Sequence, residues 1–207
     1  MYFILCLLAI GVNAQFTSTG QSSIVDAHNK LRSAIAKSTY VAKGTKKEPA
    51  TDMRKMVVDS TVAASAQNYA NTCPTGHSKG TGYGENLYWS WTSADVGSLD
   101  SYGEIAAAAW EKEFQDFGWK SNAMDTTLFN SGIGHATQMA WANTSSIGCG
   151  VKNCGRDASM RNMNKIAVVC QYSPPGNTMG RPIYKEGTTC SSCSGSTKCD
   201  TASGLCG

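Results

Sequence analysis

The 207-residue sequence lacks the short motifs that identify several enzyme classes. It contains no His-Glu-x-x-His pair of a zinc-protease helix, no P-loop and no glycine fingerprint of a dinucleotide-binding fold. Each motif is a local signature, so its absence argues against the corresponding class of enzyme. Any chemistry in this protein must therefore come from side chains that separate elements bring together in space.

The net charge is small, and long apolar segments are scarce. Charged residues make up 16% of the chain and the formal net charge is +3, which does not indicate binding to nucleic acid. Only residues 1–14 are almost wholly apolar, and this run is too short to span a bilayer, so we expect no membrane span. Val12 and Ala14 are aliphatic or small residues at the two positions that a signal peptidase reads. Residues 1–14 are therefore predicted to be a cleaved signal peptide, and the protein to be secreted and extracellular.

Cysteine, in contrast, is abundant. Of nine cysteines, Cys6 falls in the predicted signal peptide, and eight remain in the mature chain. An even number of cysteines in a secreted protein predicts disulfides, and it leaves no free thiol as a nucleophile. The spacing of Cys190 and Cys193 could belong to a zinc site, but an oxidising compartment argues against it. Eight cysteines can pair in about a hundred ways, so their number alone fixes no pairing.

The apolar pattern predicts helices interleaved with a few strands. Helices are indicated by apolar residues at helical spacing, and strands by alternation or by Val/Ile-rich runs. Because only a polar stretch separates the last two strands, they are predicted to form a long antiparallel hairpin. This order indicates an α+β layered domain. The predicted helices begin after Ser22-Ser23, after Asp59, at about Glu104 and at Gly134; the predicted strands span 85–91, 146–151 and 165–172; and 115–131 is predicted to be irregular.

Two histidines and two glutamates lie on different predicted elements and could converge on one cleft. They are His77 after the second helix, Glu85 on the first long strand, Glu113 on the third helix and His135 in the first turn of the fourth. Imidazole nitrogens and carboxylate oxygens suit zinc-like ions. The same groups could act as general acid and base, or could form only a structural hydrogen-bond network. The third histidine, His28, lies on the apolar face of the first helix and is interpreted as structural.

Two stretches resemble the signatures of a known superfamily. Gly134-His135-Ala136-Thr137-Gln138-Met139-Ala140-Trp141 resembles the first signature of the CAP superfamily, which comprises cysteine-rich secretory proteins, antigen 5 and pathogenesis-related proteins. Val168-Val169-Cys170-Gln171-Tyr172-Ser173-Pro174-Pro175-Gly176-Asn177 resembles the second. The resemblance extends from Ala27 to the last cysteine and includes the activation-associated secreted proteins of parasitic nematodes. Ala136 and Ala167 replace larger residues of the usual pattern, which suggests local repacking within the same fold.

The resemblance implies a three-layer α–β–α sandwich over residues 15–173, followed by a linker and a cysteine-rich hinge at 174–207. It implies that His77, Glu85, Glu113 and His135 form the cleft tetrad of the superfamily. His77 and His135 are the predicted metal ligands, with zinc bound weakly and not required for folding. The hinge pattern implies the pairs Cys190–Cys199 and Cys193–Cys206. In the predicted hairpin Cys149 and Cys170 are neighbours, which leaves Cys73 to pair with Cys154.

The resemblance also implies a function outside the cell. We expect an effector released by a parasite that binds a host extracellular or cell-surface protein, or a lipid such as a sterol. A metal-dependent hydrolase that uses the same cleft is the alternative, and the lack of a strong nucleophile favours the binding protein. Asn143-Thr144-Ser145 is a sequon for N-glycosylation in an expected loop, although burial near Trp141 would leave it unused.

Overall fold

The computed structural model of the protein describes residues 15–207, so the predicted signal peptide and its Cys6 lie outside the described residues. Five α-helices and eight strands are present in the described part. The helices are α1 (Ser18–Ala36), α2 (Ser60–Ala70), α3 (Ser101–Asp116), α4 (Thr126–Phe129) and α5 (Gly134–Ala140). The strands are β1 (Val41–Ala42), β2 (Thr45–Lys46), β3 (Val57–Val58), β4 (Gly84–Thr92), β5 (Ser146–Asp157), β6 (Met163–Ser173), β7 (Cys199–Asp200) and β8 (Leu205–Cys206).

A four-stranded sheet forms the middle of the molecule, with strand order β3-β5-β6-β4. Strands β5 and β6 form the predicted long antiparallel hairpin, with an irregularity in the register between Asn153 and Arg156. Strand β4 pairs antiparallel to the other side of β6, and its first residue, Gly84, lies opposite Tyr172. Because β4 is an edge strand, residues of the preceding loop can contact its amino-terminal end, as Ser78 contacts Glu85.

Helices cover both faces of this sheet. Helix α2 packs on one face against β5 and β6, while α1, α3 and α5 pack together on the other. The approach of α2 is close because Gly148 and Gly150 of β5 have no side chain; a Cβ at either position would meet the backbone of Ala63 or Gln67. The expected three-layer α–β–α sandwich is therefore confirmed. Within the described residues no helix is long and apolar enough to cross a membrane.

Two local predictions were wrong. Helix α1 begins at Ser18 and not after Ser22-Ser23, because the Thr17 hydroxyl accepts the backbone N–H of Gly20 and caps the helix there. The segment 115–131, predicted to be irregular, contains α4, which Asp125 caps through the N–H of Leu128. Both caps are short polar residues, and such residues also occur in loops. The residue type alone therefore does not show where a helix begins.

Four disulfides join the described cysteines. Their Cα–Cα distances are 5.7 Å for Cys73–Cys154, 4.1 Å for Cys149–Cys170, 5.5 Å for Cys190–Cys199 and 5.4 Å for Cys193–Cys206. The last two staple the carboxy-terminal segment and confirm the expected hinge. The sulfurs of Cys190, Cys193 and Cys206 all lie within 4.8 Å of one another, but each is held in a disulfide and offers no thiolate to a metal.

A buried guanidinium ties α1 to the segment after α5. Arg32 is fully buried and donates hydrogen bonds of 2.6–3.1 Å to five backbone carbonyls, namely those of Arg54, Met139, Trp141, Ala142 and Thr144. Burial, and to a smaller extent the charge of Arg54, lowers the pKa of Arg32 to about 9, so the group stays protonated at neutral pH. Because Met139 lies in the last turn of α5 and Trp141 and Ala142 directly follow it, this contact sets the position of that helix.

We predict that Arg32→Met lowers the free energy of unfolding by more than about 3 kcal/mol, because it leaves several buried carbonyls without donors. Arg32→Lys, which keeps the charge but fewer donors, should give an intermediate loss and remain measurable if the first variant fails to fold. Urea denaturation followed by tryptophan fluorescence measures both. Arg181→Met, at an exposed arginine, is the control and should change stability by less than about 0.5 kcal/mol. A loss below about 1 kcal/mol for Arg32→Met would contradict this role.

Candidate functional site

The four residues of the predicted tetrad lie in a single cleft. The cleft has a volume of about 270 Å³ and is placed between the start of β4, the end of α3 and the start of α5. Each histidine faces it with a glutamate beside the ring. The described lining residues are His77, Glu85, Asn86, Glu113, Phe129, Gly132, Gly134, His135 and Asn177.

His135 is fixed by Glu113 of α3. The Glu113 carboxylate accepts from His135 Nδ1 at 2.6 Å, and its second oxygen accepts the backbone N–H groups of His135 and Ala136 at 3.1 and 3.0 Å. These N–H groups belong to the first turn of α5 and have no partner within the helix. The Trp110 ring lies nearly parallel to the imidazole, with an angle of 21° between the planes and 6.1 Å between the ring centroids. Because Nδ1 of His135 is hydrogen-bonded to Glu113, Nε2 is the ring nitrogen that can bind a ligand in the cleft.

His77 is fixed by Glu85 in the same manner. Nδ1 of His77 lies 3.0 Å from Glu85 Oε1, which also accepts the N–H of Ser78 at 2.8 Å. The other oxygen accepts from the Ser78 hydroxyl at 2.6 Å and from Gln171 Nε2 at 2.9 Å. Burial alone would raise the pKa of Glu85, but the hydrogen bonds from Ser78, Gln171 and His77 outweigh it and lower that pKa. Glu85 is therefore a carboxylate at neutral pH, although its side chain is only 6% exposed.

Ser78 was missed at the level of sequence, although Gly76-His77-Ser78-Lys79-Gly80 fits the Gly-x-Ser-x-Gly pattern of a nucleophile elbow. Such an elbow requires a turn from a strand into a helix and a base that accepts the serine proton. Here the segment precedes β4, and the Ser78 hydroxyl donates to Glu85. Ser78 thus acts as a donor that orients a carboxylate.

A buried chain of hydrogen bonds lies directly beneath the cleft. Asn86 Nδ2 donates to the backbone carbonyl of His135 and to the hydroxyl of Tyr172, both at 3.1 Å. His28 Nδ1 bonds the carbonyl of Ile24 at 2.8 Å, and because a carbonyl only accepts, this nitrogen carries the proton. His28 Nε2 then accepts from Tyr172 at 2.9 Å. The interpretation of His28 as structural agrees with this network, which links α1, β6 and β4 to α5.

The cleft does not assemble a closed metal site from protein ligands. Among the described residues, no three His, Cys, Asp or Glu ligand atoms in the cleft lie within 4.8 Å of one another. The oxygens of Glu85 and Glu113 accept hydrogen bonds from imidazole Nδ1 atoms and from N–H groups. The carboxylates therefore orient the histidines through Nδ1 and are not free as ligands. The donor set fits an ion held by two imidazole nitrogens and completed by water, with histidine–carboxylate pairs of the kind found around zinc.

Asn143 lies apart from the cleft. It is exposed in the turn that follows α5, while its neighbour Thr144 is buried and donates to the carbonyl of Pro174. The expected burial next to Trp141 therefore affects Thr144 and not the asparagine. An exposed asparagine in a turn is accessible to modification.

The sequence matches a known family. The family described as CAP, the cysteine-rich secretory protein family, matches residues 25–172 of this chain. This is well over half of the sequence, and the chain belongs to the CAP family. The predicted membership of the CAP superfamily is thereby confirmed.

Individual relatives make the relationship more specific. The chain is 37% identical over 202 residues to the Ancylostoma secreted protein of Ancylostoma caninum and 34% identical over 186 residues to peptidase inhibitor 16 of Mus musculus. These matches cover 94% and 89% of this chain but only 45% and 33% of the two relatives, so the chain spans less than half of their length.

Two solved structures have the same fold. The crystal structure of NaASP2 with Zn²⁺ matches at a TM-score of 0.83 and 34% identity, covering 94% of this chain and 98% of that one. The structure of Na-ASP-1 matches at a TM-score of 0.81 and 36% identity, covering 93% and 48%. These similarities extend over the sandwich and the disulfide-stapled carboxy-terminal segment.

The buried histidine predicts how stability depends on pH. Burial, only partly offset by the bond to Ile24, lowers the pKa of His28 from 6.5 to about 4. Between these values the unfolded chain binds a proton that the folded protein does not, so stability falls as the pH falls from about 6.5 towards 4, by up to about 3 kcal/mol. Thermal or urea denaturation at pH 7 and pH 4.5 measures this loss. His28→Gln should lose less stability than the parent between pH 7 and pH 4.5. An equal loss in the variant would show that other groups cause the pH dependence.

Proposed function

We propose that this protein is a secreted binding protein of a parasite, which engages a host extracellular or cell-surface protein or a lipid, and whose cleft can hold a divalent metal ion. The observation that carries the metal site is the pairing of each imidazole Nδ1 with a glutamate, which leaves both Nε2 atoms for an ion. The name of the Ancylostoma secreted protein and the Zn²⁺ in the NaASP2 crystal structure support this reading.

In this proposal His77 and His135 are the metal ligands, and Glu85 and Glu113 fix their tautomers. A bound ion would supply positive charge and Lewis acidity to a ligand in the cleft. Two protein ligands predict modest affinity, and four disulfides already constrain the fold, so zinc is not required for folding. None of the described residues that line the cleft is a serine, threonine or cysteine, so a hydrolase that used this cleft would need water as its nucleophile.

The proposal includes the division of the chain. Residues 1–14 are a cleaved signal peptide, 15–173 the CAP domain, and 174–207 the linker and hinge. A leader of this kind and eight paired cysteines suit an oxidising, extracellular location.

Zinc binding should depend on the two cleft histidines. We expect His77→Ala combined with His135→Ala to abolish binding, and Glu85→Ala or Glu113→Ala to weaken it by about 10–100-fold. Calorimetric titration of Zn²⁺ into metal-free protein measures this at neutral and at acidic pH, where protons compete for imidazole nitrogens and affinity should fall. Arg181→Met, an exposed position that does not line the cleft, is the control and should bind as the parent does. If the double histidine variant binds zinc equally well, the tetrad is a polar network only.

Binding to host surfaces should survive loss of the carboxylates. The mature protein is used in a pull-down from host serum and from intact host cells, beside the Glu85→Ala, Glu113→Ala double variant. A binding protein that recognises its partner through the outer surface should retain most of its binding in the variant. A hydrolase would instead lose turnover of the same partner. Turnover by the parent that the variant lacks would therefore replace this proposal with the hydrolase.

N-glycosylation of Asn143 is part of the proposal, because the side chain is exposed in a turn. Protein from a secretory eukaryotic host should lose mass on treatment with an N-glycosidase, and Asn143→Gln should not. A parent mass that the enzyme leaves unchanged would contradict occupancy of the site.

A further inference from the structure

If the leader is cleaved after Ala14, a single residue, Gln15, precedes the folded domain, which begins at Phe16. Phe16 is 6% exposed and belongs to the core, where it packs over Gly103 of α3. The next residue, Thr17, donates its N–H to Asp100 Oδ1 at 2.9 Å and its hydroxyl to Asp100 Oδ2 at 2.6 Å. The chain is therefore fixed from Phe16 onward, and Gln15 is the last residue before this anchor.

Gln15 itself is free to react. It is exposed, and in the described part of the chain its side chain takes part in no hydrogen bond. Cleavage after Ala14 would make Gln15 the first residue of the mature protein. We propose that Gln15 is a modification site, at which the mature protein carries a pyroglutamate in place of a free amino terminus. This inference rests on the secretion and cleavage in the proposed function.

The reaction needs no oxidant or other co-reactant. The α-amino nitrogen released by cleavage attacks the side-chain amide carbon Cδ of Gln15. A new C–N bond closes a five-membered lactam, the bond from Cδ to Nε2 breaks, and Nε2 leaves as ammonia after taking up the proton that the α-amino group loses. The product has no positive charge at its amino terminus. The geometry permits this because Gln15 is exposed and, among the described residues, no hydrogen bond holds its side-chain amide.

The modification would protect the anchor that follows it. An aminopeptidase needs a free α-amino group, and removal of Gln15 would bring Phe16 to the terminus. Loss of Phe16 would then uncover the apolar surface of Ile24 and Gly103, which the ring covers. A lactam at Gln15 removes the group that the peptidase recognises and keeps α1 in place.

Expression of the full chain in secretory insect cells, followed by mass spectrometry of the amino-terminal peptide from the medium, tests the inference. We expect this peptide to begin at residue 15 and to be lighter than the unmodified peptide by one ammonia. Edman degradation should be blocked until the protein is treated with pyroglutamyl aminopeptidase. Gln15→Ala is the matched control, because it offers the same cleavage site but no side-chain amide; its amino terminus should be free and aminopeptidase should shorten it.

The possible failures are distinguishable. A secreted chain that begins with unmodified Gln15, or at any other residue after the leader, overturns the modification and leaves the proposed secretion intact. A chain that stays in the cells with residues 1–14 attached overturns the secretion as well. A Gln15→Ala chain as resistant to aminopeptidase as the parent overturns the protective role.

Discussion

The two ends of helix α5 are held by charged side chains, those of Glu113 and Arg32, and the cleft depends on this arrangement. The helix has seven residues, too few to be stable by itself in water. Its first-turn N–H groups bond the Glu113 carboxylate, and the carbonyls at and beyond its last turn bond the Arg32 guanidinium. A negative group at the amino end and a positive group at the carboxyl end both complement the helix dipole. His135 therefore keeps its position although the helix that carries it is short.

The same groups connect the cleft to the core. Glu113 serves at once as the acceptor for the amino end of α5 and as the partner of His135 Nδ1, so helix position and imidazole tautomer are set together. Asn86 adds a bond to the His135 carbonyl from the sheet, and the same side chain reaches the buried pair of Tyr172 and His28. A change in any of these residues would displace the cleft through the packing beneath it.

The two histidines of the cleft differ in how far they are exposed to solvent. The His135 side chain is 35% exposed and is stacked on Trp110, whereas that of His77 is 59% exposed and is held by Glu85. Glu85 is in turn fixed by Ser78 from the loop and by Gln171 from β6. The more enclosed half of the cleft thus belongs to α5 and the core, and the more exposed half to the loop before β4. An open cleft of this kind suits the proposed reversible binding of an ion better than a closed structural metal site.

The sequence alone determined the family, the layered α+β architecture, the tetrad and the number of cysteines available for disulfides. These follow from local signals, namely signatures, apolar periodicity and residue chemistry at fixed positions. Only the tertiary structure decided that Thr17 begins α1, that Ser78 and Gln171 orient Glu85, and that Asn86 supports His135. The bonds of Gln171 to Glu85 and of Asn86 to His135 join residues far apart in the chain, whereas Thr17 and Ser78 act on residues nearby. In both cases a side-chain amide or hydroxyl shows no sequence pattern that identifies its partner. The burial of Arg32 was equally invisible, because its five acceptors are backbone carbonyls, which every residue has.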